Sequence, residues 1–89
     1  MCLYLLDAEE MSDRETAWRV VAGIMHFPEW FGRNLDALAD CLSELDRSCV
    51  IVFRNTSALS ATLGVYGEKM LDCFRELSEA VGFRLIILP

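Results

Sequence analysis

Apolar residues gather in three short continuous runs, at 2–6, 49–53 and 85–88, separated by stretches with helical spacing. None of the runs alternates with polar residues, which predicts strands covered on both faces. After the first run, Ser12-Asp13-Arg14-Glu15 fits a capping box. In it the Ser12 hydroxyl accepts from the Glu15 amide and Glu15 reaches back. Ala17, Val20, Val21 and Ile24 then form one helical stripe, and Trp18 serves the packing of this helix. Pro28 pushes Phe27 out of the helical region, so the helix ends near Met25.

Residues 26–33 read as a loop rich in aromatics, with Phe27, Trp30 and Phe31 followed by Gly32. Asn34 is a good N-cap for a second helix over roughly residues 35–45. Its apolar face is Leu35, Leu38, Leu42 and Leu45, at spacings of three and four. Past the second apolar run, Asn55, Thr56 and Ser57 predict a turn and a short helix to about Leu63, broken by Gly64 and Gly67. A last helix spans about 68–81, burying Met70, Phe74, Leu77 and Val81, with Gly82 just past its end. Strands joined by helical crossovers of this length pair in parallel with right-handed connections. The prediction is a small α/β fold: a three-stranded parallel sheet with about four helices, in a single domain over residues 1–89.

Composition narrows the function. Eight basic and 14 acidic residues give a net charge of −6. A nucleic-acid binder needs a basic stripe against phosphates, and this chain has none. No apolar run approaches the roughly 20 residues of a membrane span. The N-terminus lacks a basic segment and meets Asp7, Glu9 and Glu10 at once, which argues against a secretory signal. The four cysteines include no C-x-x-C pair, and His26 is the one histidine, so no Cys/His zinc site is expected. The cysteines read as reduced thiols of a cytoplasmic protein, with Cys41 on the leucine side of its helix, away from any partner.

The second helix carries the most informative polar pattern. Asp36, Asp40 and Glu44 stand at i, i+4 and i+8 opposite the leucines, with Ala39 at their flank and no basic residue within the helix. Like charges at this spacing cost a helix about 0.2–0.5 kcal/mol per pair. Arg33 and Arg47 flank the helix and could reach the row. A solvated acidic face is one reading. A divalent-metal or acid–base pair at Asp36 and Asp40 is another, but no third carboxylate converges on them. A third reading couples the row to Trp30, exposed in the free chain, as an aromatic anchor beside a charged patch for a basic protein partner.

Residues 28–42, Pro-Glu-Trp-Phe-Gly-Arg-Asn-Leu-Asp-Ala-Leu-Ala-Asp-Cys-Leu, closely resemble the core signature of the barstar family, intracellular inhibitors of barnase-like ribonucleases. Phe74-Arg75-Glu76 resembles the family's last helix and Ile86-Ile87-Leu88 its C-terminal strand, so the resemblance covers effectively the whole chain. It implies a barstar-like fold with no catalytic residues, cofactor or metal. It also implies an inhibitor, such as an immunity protein or antitoxin, monomeric before it meets a basic secreted-type ribonuclease or a toxin's ribonuclease domain. By the same resemblance Asp40 enters the pocket for the substrate phosphate and Asp36 binds a basic side chain at its mouth. Trp30 packs over the active-site histidine in place of the family's tyrosine. Gly32 and Asn34 hold the loop, and Glu76 adds a peripheral ionic contact. Ala39 and Glu44 complete the expected partner-binding set. Arg33 stands where the family has an acid, and Ala39 and Leu45 where it has large aromatics. These departures leave a regulatory interaction module without inhibition as the alternative.

Overall fold

The computed structural model describes residues 2–89. The strands are β1 (Leu3–Asp7), β2 (Val50–Arg54) and β3 (Arg84–Ile87), and the helices α1 (Arg14–Met25), α2 (Leu35–Leu42), α3 (Ser57–Leu63) and α4 (Val65–Val81). A single 3₁₀ turn, Ala8–Glu10, follows β1. The sheet is parallel in the order β1-β2-β3, with Leu3 opposite Val50 and Val50 opposite Arg84. This is the α/β architecture expected from the spacing of the apolar runs. Among the described residues, no helix is long and apolar enough to cross a membrane.

The expectation that both sheet faces are covered is not met. Leu6, Ile51 and Phe53 point to the buried side, where Phe74 of α4 packs edge-on against Phe53 at 5.4 Å. On the other side Leu3 and Leu5 are 59% and 55% exposed, and Ile86 and Leu88 are also open. Apolar residues on both faces of a strand thus read as two covered layers when only one layer exists. Three short strands offer enough area for a single layer of helices.

Helix boundaries correct several details. The α1 cap is Asp13 rather than Ser12: its Oδ1 accepts from the Thr16 amide at 2.7 Å. The helix buries Ala17, Trp18, Val21 and Met25, while Ile24 turns outward. It ends where expected, with His26 in the left-handed region at φ 57°. Gly67 does not break a helix but lies inside α4, buried against α3. A Cβ there would stand 2.7 Å from the Leu59 carbonyl oxygen, so glycine allows the two helices to approach. Gly82 ends α4 at φ 99°, as its position predicts.

Candidate partner-binding face

The loop before α2 is fixed from below by aromatics. Phe31 is 7% exposed, packing 5.7 Å from the Trp18 ring and 4.9 Å from that of Phe27. Its amide donates to the Pro28 carbonyl at 2.9 Å, closing a tight turn over residues 28–31. Seating Phe31 inside turns its neighbour outward, and Trp30 is 83% exposed. The chain then passes through Arg33 at φ 51°, an uncommon conformation for a residue with a side chain. Asn34 stops the turn and starts α2. Its Oδ1 accepts from the Ala37 amide at 2.7 Å and its Nδ2 donates to the Gly32 carbonyl at 3.1 Å. One side chain thereby caps the helix and pins the loop to it. A Cβ on Gly32 would lie 3.1 Å from Asn34 Nδ2 and 3.3 Å from Ala37 Cβ, so a larger residue would have to press the Asn34 side chain or the helix back by a few tenths of an ångström.

The helix stops earlier than its leucine spacing suggests, at Leu42. The Ser43 hydroxyl donates to the Asp40 carbonyl at 2.6 Å, and the Glu44 amide turns to the Cys41 carbonyl at 3.2 Å, an i→i+3 closure. Glu44 therefore sits in the turn past the helix, not at its i+8 position. The turn still brings it beside Asp40. Trp30, Gly32, Asp40 and Glu44 line one pocket of about 190 Å³ with Pro28, Phe31, Ala37 and Cys41. Asp36 and Ala39 face the other way, into an open groove of about 350 Å³ between α2 and α4 that also holds Glu76, Asp72 and Lys69. Asn34 lines neither recess, because its amide is spent on the cap and the loop.

None of Asp36, Asp40, Glu44 and Glu76 has a salt-bridge partner within 4.0 Å among the described residues. The arginines expected to reach the row do not pair with it. Arg47 lies against the end of α4, where a Cβ on Gly82 would stand 2.9 Å from its Nε. Two half-buried thiols lie beside these carboxylates. Burial pushes the Cys41 thiol up, and Glu44 and Asp40 add to it. Burial likewise raises Cys73, helped by Glu76 and Asp36. Among the described residues, no three His, Cys, Asp or Glu side chains come together as a metal site.

Cys41 does not point wholly away, as its place on the leucine side suggests. It packs against the core and also lines the loop pocket. Ala37 and Cys41 are the pocket residues that a reading by charge misses. Their signal was present in the spacing, since 37 and 41 stand one turn apart on the helix face next to the acidic row.

A model of the family described as barstar, barnase inhibitor, matches residues 1–87. The chain belongs to the barstar family. Among curated proteins it is 30% identical over 86 residues to the Bacillus subtilis (strain 168) protein named "Putative ribonuclease inhibitor YrdF", covering 93% of this chain and 94% of that one. The match runs through the loop–helix segment at residues 28–42, which holds both the Asn34 cap and the acidic row.

Proposed function

We propose that this chain inhibits a basic microbial ribonuclease by seating the Trp30 loop and the carboxylates of α2 in the enzyme's active-site cleft. The observation that carries the proposal is the pair of carboxylates, Asp40 and Glu44, without a salt bridge among the described residues and sharing one pocket with an exposed tryptophan. A carboxylate without an internal partner is free to pair with cations on another molecule. A ribonuclease keeps such cations in its cleft to hold the substrate phosphate, so the row acts as a phosphate mimic. Complementary charge of this kind steers encounter and fixes register, and the barnase–barstar pair is itself the reference case. Trp30 is the anchor, with a large rigid contact area at small entropic cost. Asp36 and Glu76, on either side of the α2–α4 groove, receive a basic side chain at the mouth of the cleft. Gly32 and Asn34 hold the loop in shape, and Ala39 leaves the groove open. A cytoplasmic immunity protein or antitoxin, guarding against a secreted ribonuclease or a toxin's ribonuclease domain, is the role this chemistry fits.

The test is a titration of the chain into a basic guanyl-specific microbial ribonuclease, following RNA cleavage at micromolar protein. Stoichiometric loss of cleavage is expected. Cleavage that continues at saturating chain, with no complex on gel filtration, would overturn the proposal for that class of enzyme.

A further inference from the structure

Two cysteines stand side by side at the start of the sheet. Cys2 immediately precedes β1 and Cys49 immediately precedes β2. The register pairs Leu3 with Val50, so one step back sets Cys2 against Cys49. The pairing extends to that step, because the Val50 amide donates to the Cys2 carbonyl at 2.7 Å. Neighbouring strands lie about 4.8 Å apart, inside the roughly 4.4–6.8 Å between Cα atoms that a disulfide accepts. Side chains alternate along a strand, so Cys2 shares the face of Tyr4 and Leu6, and Cys49 that of Ile51 and Phe53. Both thiols therefore sit on the helix-covered side, Cys49 buried and Cys2 half-buried at the open end. Burial raises the Cys49 thiol, with Cys2 the next cause. The remaining cysteines, Cys41 and Cys73, line separate recesses on either side of α2.

We propose that Cys2 and Cys49 form a reversible intramolecular disulfide when the chain meets an oxidised low-molecular-weight disulfide. Cys2, the more accessible of the two, loses its proton and its thiolate attacks one sulfur of R–S–S–R. That bond breaks, leaving Cys2–S–S–R and a thiolate that takes up the proton. Cys49 then deprotonates and attacks Cys2 Sγ, expelling the second small thiolate, which is protonated in turn. Two protein thiols lose two electrons and two protons, and one small disulfide becomes two thiols. The neighbour already in place makes the second step intramolecular, so the mixed disulfide does not accumulate.

The cross-link closes the chain over residues 3–48, which contain α1, the aromatic loop and α2. It restricts the unfolded state of the whole partner-binding segment while touching none of that segment's surface residues. Oxidation therefore hardens the chain against unfolding and leaves its binding face as it was.

The experiment treats the wild-type chain and a Cys41→Ser/Cys73→Ser variant with oxidised glutathione, blocks remaining thiols with iodoacetamide without reductant, and maps tryptic peptides. In both, the peptide 1–14 should be joined to the peptide 48–54, with no glutathione retained. The melting temperature should rise by several degrees and return on adding dithiothreitol. A Cys49→Ser chain should instead accumulate glutathione on Cys2. Stable glutathione on Cys2 with Cys49 still free, or a wild-type link through Cys41 or Cys73, would overturn the proposal. So would four thiols left unreacted.

Discussion

Helices α1 and α2 treat their charges in opposite ways. On α1 every charged side chain has a use within the chain. Asp13 caps it, Glu15 pairs with Arg19 at 3.5 Å, and the Arg14 guanidinium lies 3.6 Å from the centre of the Tyr66 ring. Its tryptophan is equally committed: Trp18 is 2% exposed and its Nε1 donates to the Tyr66 hydroxyl at 3.1 Å. On α2, Asp36 and Asp40 find no such partner among the described residues, and the tryptophan beside the helix stands in solvent. Surface ion pairs contribute little to stability, so the contrast is small as folding energy. It is large as binding potential, since charges left over from folding remain available to another molecule.

The two tryptophans give the largest expected difference. Trp18→Ala should cost about 3–5 kcal/mol, by the lost burial and the cavity left behind, whereas Trp30→Ala should leave the urea midpoint nearly unchanged. With a ribonuclease partner, Trp30→Ala should speed dissociation. A Trp30→Ala chain that unfolds at markedly lower urea would erase the distinction between core and surface aromatics.

Next in size is Asp40→Ala. It removes the repulsion with Asp36 one turn away and installs the best helix former, so stability should hold or rise by a few tenths of a kcal/mol. Inhibition should weaken at least about 30-fold, the lower bound for a hot spot, an effect for which the barnase–barstar pair is itself the reference system. A denaturation curve and an inhibition titration on the one variant check both. A clear loss of stability would mean that Asp40 is committed within the fold after all, like the charges of α1.

Salt sharpens the same contrast. Exposed charges are screened beyond about 8 Å at physiological ionic strength. Stopped-flow association with the ribonuclease should slow about tenfold or more from low to high salt. A rate indifferent to salt would move the docking surface away from α2.

The smallest effect separates the two caps. Asn34→Ala should cost about 1 kcal/mol, and it should also loosen the loop that carries Trp30. The Asp13 cap responds to acid instead. The backbone amide of Thr16 holds its carboxyl below the usual range. A lowered folded value means that its contribution is full above the unfolded value, about 3.9, and is lost as pH falls through the folded one. Amide exchange in the first turn of α1 should therefore rise at low pH. The corresponding turn of α2, capped by a side chain that does not titrate, should not follow it through its cap.

Local pattern by itself determined the order of strands and helices, the parallel sheet, the Asn34 cap and the opposite fates of Trp18 and Trp30. Each follows from spacing, side-chain chemistry or a neighbour in the chain. The residues of the loop–α2 signature are close in sequence, so the nearness of Trp30 to Asp40 was legible there too, while the division of the acidic row between two recesses was not. Tertiary structure decided what depends on contacts between distant segments. It left Leu3 and Leu5 exposed, because three strands carry one helical layer and periodicity cannot count layers. It placed Gly67 inside α4, because Leu59 of α3 comes against it. It drew Arg47 to Gly82, a residue 35 positions on, and not into a salt bridge with the acidic row. It set Cys2 beside Cys49, because strand register joins two ends of the chain that no local spacing relates.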